Sequence, residues 1–240
     1  MTRHRSITFS SRRALLGAAT IAALLAAARP ARAQGVTALS QRDAAAGVRA
    51  ALERGANVAV DLLGRTDGFL GNDLVRIPLP DWLRRAESGL KLLGRGRDVE
   101  ELRVSINRAA EQAVPEARVL LVNAVKTMSV QDAKGILTGG EKSVTQFFAD
   151  KTRKPLEEKF LPIVTRVTDR SGLARQYNQL AAQGEMMGVV KPEQARIERY
   201  VTGKALDGLY LMIGEEEKKI RQDPVGAGSE ILRKVFGALK

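Results

Sequence analysis

The chain has 240 residues, no cysteine, one histidine, 4% aromatic residues and a formal net charge of +12. Without cysteine there is no disulfide framework, no thiolate metal site, no thiol nucleophile and no acceptor for a lipid-modified N-terminus. The length suits one large domain or two small ones, and few aromatics beside abundant Ala and Leu favour helices over sheets.

Residues 1–33 read as an export address. Met1 to Arg13 is polar and basic, Ala14 to Ala28 is uncharged and apolar, and Ala31-Arg32-Ala33 gives an A-x-A cleavage pattern before Gln34. The apolar run has 15 residues, short of the roughly 20 that span a bilayer, so a cleaved signal is expected rather than a retained anchor. Ser11-Arg12-Arg13-Ala14-Leu15-Leu16 resembles a twin-arginine motif, with Gly17 where lysine is frequent. The mild hydrophobicity of the run and Arg29 and Arg32 before the cut also suit that route. The expected location is the periplasm, not as a lipoprotein.

Removing this segment changes the chemistry on offer. It holds six arginines and no acid, so the remainder carries 33 basic and 27 acidic residues and a net charge of +6. The only histidine, His4, is lost with it. Ser-His-Asp and Cys-His catalysis, histidine acid–base work and ordinary zinc sites are thereby excluded from the mature protein. Nucleic-acid binding is excluded as well, because the remaining basic residues are interleaved with acids and show no aromatic–basic stacking pattern. Weak contact with anionic lipid stays open.

In the mature chain Val48, Leu52, Ala56, Ala59, Leu62 and Leu63 recur at helical spacing, predicting a helix over 41–63 stopped by Gly64. The RTDGFLGND segment is a turn-rich loop anchored by Phe69 and Leu70. Ile77-Pro78-Leu79-Pro80 is extended, since each proline disfavours the α region before it. Leu79 and Trp82 are expected to anchor the core, with ligand stacking as a second role for Trp82. A helix over 81–93 follows, with Leu83, Ala86, Leu90 and Leu93 on one face. Asp98 and Glu101 have capping-box spacing and open another. Pro115 begins a helix whose inner face is Val119, Val122, Val125 and Met128. Ser129 and Asp132 cap a short helix ending at Thr138-Gly139-Gly140.

A helix over 141–151 buries Val144, Phe147 and Phe148; Pro155 starts a new segment, which Pro162 kinks or interrupts. Ser171-Gly172 separates it from a helix over 173–182. Residues 184–190 form a flexible apolar stretch. Pro192 opens a helix to about Tyr200, and a long helix over about 203–222 follows, apolar on nearly every side in its LYLMI part and paired in charge at its end, Glu215 with Lys219 and Glu217 with Arg221. Ser229 caps a last short helix with Ile231, Leu232, Val235 and Phe236. The expected fold is all-α: one compact domain of about ten helices, many short, around the long C-terminal helix, with no significant sheet.

Gly139, Gly140, Lys142 and Ser143 suggest an anion site, because amides at a helix start can hold one. Glu141 intrudes before the lysine and the preceding segment is helical, so a phosphate-binding loop is not formed; the alternative is a Gly-Gly turn between helices. Ser88-Gly-Leu-Lys91 lacks the partner motifs of penicillin-recognising enzymes. Met186, Met187, Val189 and Val190 could line or gate an apolar groove with Trp82, or simply belong to the core.

The stretches RTDGFL (65–70), IPLPDWL (77–83), NRAAEQAVPEA (107–117), MSVQDAKGILTGG (128–140), KPLEEKFLPIV (154–164) and, above all, YVTGKALDGLYLMIGEEEKKIRQDP (200–224), with LRKVFG (232–237), resemble a bacterial family catalogued as domain of unknown function 4197. The resemblance spans essentially the whole mature chain. It implies an exported, mostly helical single domain, and brings no activity, cofactor or catalytic residue with it. Members often carry a lipoprotein-type signal, which this chain cannot use for want of cysteine. The expected function is a non-catalytic binding module, without a cofactor, for an envelope partner or an apolar small molecule. The alternatives are a carboxylate-based hydrolase or metal-dependent enzyme, built on acids such as Glu100, Glu101, Glu157, Glu158 and Glu215 to Glu217, and a peripheral binder of anionic lipid.

Overall fold

A computed structural model describes residues 31–140 and 142–223. The chain divides between Arg42 and Asp43 into two compact units. In the first, residues 31–42 are helical; the core belongs to the second. The described residues are mostly helical and contain no strand, which makes the fold all-α. The helices are α1 (Ala31–Leu63), α2 (Asp81–Leu92), α3 (Gly96–Ala113), α4 (Ala117–Lys126), α5 (Val130–Thr138), α6 (Ser143–Thr168), α7 (Leu173–Met186) and α8 (Ile197–Gln222), with short 3-10 turns at Val114–Glu116, Asp169–Ser171 and Pro192–Gln194. The expected helix over 229–236 lies outside the described residues.

Among the described residues several of the expected short helices merge into longer ones. Pro155 and Pro162 both lie inside α6, which they neither start nor interrupt. An interior proline costs roughly 3 kcal/mol by deleting one N–H and crowding the preceding turn. Against the pair stands the burial of Val144, Phe147, Phe148, Leu156, Phe160, Val164 and Val167, worth about 2 kcal/mol per side chain. The carbonyls deprived of a partner belong to Lys151 and Glu158, both exposed residues, where water can take the bond. Pro192 likewise opens only a 3-10 turn, and Tyr200 sits inside α8 rather than ending a helix of its own. Gly184 and Met186 are part of α7, so the flexible stretch shrinks to the turn at 187–190.

Asp98 and Glu101 do not form a capping box. The N-cap of α3 is Arg95, without a side-chain cap, and the Asp98 carboxylate accepts from Arg95 Nε instead. Ser129 and Asp132 do form one: Asp132 N–H donates to Ser129 Oγ at 3.0 Å, and Ser129 N–H to Asp132 Oδ2 at 3.0 Å. The inner face of α4 is Ala117, Leu121 and Val125, while Val119 is exposed. Ala86 of α2 and Leu93, which caps its end, are exposed too.

The loop between α1 and α2 is held from α3. Asn107 Oδ1 accepts from Ile77 N–H at 2.8 Å and its Nδ2 donates to Ile77 O at 3.0 Å. One turn later Glu111 Oε1 accepts from the amides of Phe69 and Leu70, each at 3.1 Å. Its Oε2 takes Arg108 Nη1 at 2.7 Å, and Arg108 Nη2 reaches Asp67 Oδ1 at 2.7 Å. The Glu111 hydrogen bond, then that of Asp67, raises the Arg108 guanidinium above its ordinary value. Asp67 has φ 64°, a conformation that short polar side chains tolerate. Gly68 has no room for a side chain, since a Cβ would lie 2.5 Å from the carbonyl oxygens of Leu62 and Leu63.

So clamped, the loop presents Phe69 and Val75 to α8. A Cβ on Gly208 would lie 2.9 Å from Phe69 Cε1 and 3.2 Å from Val75 Cβ, so glycine there sets the closeness of loop and helix. On the other side of α8, Tyr210 is buried and its hydroxyl lies 2.9 Å from Thr152 Oγ1 of α6.

Glu111→Ala leaves the buried amide of Phe69 and the half-buried amide of Leu70 without an acceptor and should lower stability by about 3 kcal/mol, read from urea unfolding midpoints. Ser129→Ala should cost about 1 kcal/mol. Hydrogen bonds from the Ser129 hydroxyl and then its amide hold the Asp132 carboxyl below the usual carboxylate range. The folded protein therefore binds fewer protons there than the unfolded chain, so the cap's contribution is present above the unfolded value and is lost as pH falls through the folded one. The gap between wild type and Ser129→Ala should narrow in acid.

Candidate functional site

The second half of α8 is apolar on more sides than its neighbours cover. Leu209, Tyr210, Met212 and Ile213 are buried, but Leu211 between them is 42% exposed. It is the apolar residue of a groove of about 680 Å³. One wall is the turn from α5 into α6, through Gly140, Lys142 and Thr145; the other is α8, through Asp207, Leu211, Gly214, Glu215 and Lys218. Gly214 brings the walls together, since a Cβ there would lie 3.0 Å from Thr145 Oγ1. Thr145 Oγ1 in turn donates to Tyr210 O at 3.4 Å.

The charges of the groove are partly committed. Asp207 Oδ1 accepts from Arg153 Nη2 at 2.7 Å, and that guanidinium stacks 5.3 Å over the Tyr210 ring. The pairing expected of Glu215 with Lys219 is not made: Lys219 Nζ donates to Glu216 Oε1 at 2.6 Å instead. Glu217 is buried beside the groove, and its expected partner Arg221 has a side chain outside the described ones. Among the described residues no cluster of three or more His, Asp or Glu converges as a metal site.

The expected anion site is divided. Gly140 and Lys142 line the groove, whereas Gly139 and Ser143 build the turn. Ser143 Oγ lies 2.9 Å from Ile136 O and 2.8 Å from Gly140 O, which commits the hydroxyl to closing it. Gly139 is required sterically, because a Cβ would meet Gly135 O at 2.5 Å. Gly140 has φ 76°, the left-handed region that favours glycine.

The expected apolar gate is divided as well. Met186, Met187 and Val189 stand exposed at the end of α7, while Val190 is buried; a Cβ on Gly184 would lie 2.6 Å from Val190 Cγ2. Trp82 belongs to a different contact. Its Nε1 donates to Tyr177 OH at 2.9 Å, the rings lie 5.1 Å apart, and Tyr177 OH donates to Gln194 O at 2.6 Å. Met186 lies nine residues along α7 from Tyr177, about 13 Å at helical rise. Trp82 therefore ties α2 to α7 and to the turn before α8. Sequence reasoning missed Leu211 and Thr145, because an unbroken apolar run gives no sign of which member faces out.

The family described as "Protein of unknown function (DUF4197)" matches residues 38–237. No curated protein and no solved structure matches the chain. Among the described residues no helix is long and apolar enough to cross a membrane.

Tyr200 donates to Pro78 O at 3.0 Å. Burial pushes its phenol up to about 12, aided by the nearby Asp81 charge, and burial raises Tyr177 further. The folded protein keeps these protons where the unfolded chain releases them, near its ordinary value of about 10. Stability from these groups is full below that value and lost as pH rises toward 12. Tyr200→Phe should flatten the fall of melting temperature over that window relative to wild type.

Proposed function

We propose that this chain, which belongs to the DUF4197 family, is a non-catalytic binding protein of the bacterial periplasm, delivered by a twin-arginine-like signal cut after Ala33. It holds an apolar group, offered by an envelope partner or by a small molecule, in the groove between α8 and the turn from α5 into α6. The observation that carries this reading is Leu211, exposed on an otherwise buried run and set in a groove of about 680 Å³. That volume falls within the range of small-molecule sites, which pair an apolar surface with a few polar groups. Lys142, Lys218 and Glu215 at the groove would fix the orientation of whatever enters. The absence of His and Cys after residue 33 supports a binding role over an enzymatic one.

Native mass spectrometry of the protein purified from its own periplasm tests this. A chain beginning at Gln34 with a stoichiometric adduct is expected. Leu211→Glu should lose the adduct without changing the melting temperature, because the side chain already reaches water. A bare wild-type protein, or an adduct retained by the variant, would contradict the groove; a chain retaining residues 1–33 would contradict the export reading.

A further inference from the structure

A second cleft, of about 380 Å³, opens where the start of α8 meets α6, lined by Leu161, Thr165, Arg196, Glu198 and Arg199. It contains an unusual residue for a surface depression: Glu198 is only 6% exposed. Its Oε1 accepts from Asn178 Nδ2 at 2.7 Å, and Asn178 Oδ1 accepts from Ile197 N–H at 2.9 Å. Asn178 of α7 thus fixes the carboxylate and the first amide of α8 together. Glu198 Oε2 is buried without a hydrogen bond. Arg196 Nε forms an ion pair with it at 3.6 Å, longer than a hydrogen bond, from a side chain that is 64% exposed. Thr165 Oγ1 donates to Leu161 O at 2.8 Å, so its hydroxyl proton is already used.

A buried carboxylate oxygen with a free acceptor position is costly unless a donor completes it. The Arg196 ion pair is the approach the cleft wall makes to it, and it is not a hydrogen bond. A ligand ammonium would complete it, forming a charge-assisted hydrogen bond in a partly desolvated site. Arg196 and Arg199 stand beside it as planar donors suited to a carboxylate, and Leu161 adds an apolar wall. The geometry points to a binding site for a small zwitterion of the α-amino acid class: its ammonium on Glu198 Oε2, its carboxylate between Arg196 and Arg199, its side chain against Leu161. A cleft of this size fits a single such molecule. The site is independent of the Leu211 groove, from which Glu198 is thirteen residues distant along α8, about 20 Å at helical rise.

Isothermal titration of the periplasmic protein with L-leucine, isoamylamine, 4-methylpentanoate and phosphoethanolamine tests the site. Leucine should bind, and the amine and the carboxylate alone should each bind at least tenfold more weakly. Phosphoethanolamine, which carries the ammonium beside a phosphate as a lipid headgroup does, should also bind more weakly than leucine. Glu198→Gln keeps an acceptor for Asn178 and should weaken leucine binding at least tenfold; Arg199→Ala, at an exposed position, should do the same without altering the melting temperature. Leu211→Glu should leave leucine binding unchanged. The inference is overturned if leucine does not bind at millimolar concentration, if either half-molecule binds as well as leucine, if phosphoethanolamine binds more tightly, or if Arg199→Ala binds leucine as wild type does.

Discussion

Two polar side chains one turn apart on α3, Asn107 and Glu111, hold three backbone amides of the loop between α1 and α2. Both are buried, and both have their side-chain oxygens engaged. The arrangement solves a problem the loop creates for itself. Phe69 and Ile77 are fully buried in a segment with no helix of its own, so their amides lose water and need acceptors from elsewhere. Asn107 supplies a donor and an acceptor to the same residue, imitating a strand neighbour. Glu111 supplies one oxygen to two successive amides and gives the other to Arg108. Because Phe69 and Val75 rest against α8 at Gly208, the loop these residues hold also forms part of the seat of α8.

The long helix α8 then acts as a spine with two glycines set for two different neighbours. Gly208 admits the loop, and Gly214 admits Thr145 of α6. Between them Tyr210 is buried, with its hydroxyl on Thr152 and its ring under Arg153. These contacts fix which faces of α8 are covered. Leu211 is left partly in water because the turn from α5 into α6, closed by Ser143 and turned by Gly140, stands back from it. At the other end of α8, Asn178 positions Glu198 before the helix is fully under way. One rigid element therefore carries both clefts, and both are built mainly from side chains on helices rather than on loops.

Much of this was legible in the sequence, and the failures share a cause. The all-α class, the stop of α1 before Gly64, the extended Ile77-Pro78-Leu79-Pro80 and the Ser129–Asp132 cap follow from local stereochemistry, and local rules found them. Pro155 and Pro162 signal breaks that α6 does not have, because the burial of its apolar stripe, a tertiary effect, outweighs their local penalty. Asp98 and Glu101 had the right spacing for a cap, but α3 begins before them. Glu111 gave no signal at all: an acid within a helix reads as a solvated face, and only the loop above it explains its burial. The same holds for Glu198. The groove was half visible, through Gly140 and Lys142, but Leu211 is concealed within LYLMI, where every residue looks equally buried. Met186 and Met187 suggest a gate with Trp82 by their composition, whereas α7 sets Met186 nine residues from Tyr177, the partner of Trp82.

The central claim is that α3 holds the loop rigidly enough to seat α8. Amide hydrogen exchange of the folded protein measures this residue by residue. The amides of Phe69, Leu70 and Ile77 should exchange only through global unfolding, with the same opening free energy as the core of α8, although they lie in a loop. Exchange of these three amides through a local opening well below the global free energy would contradict the account.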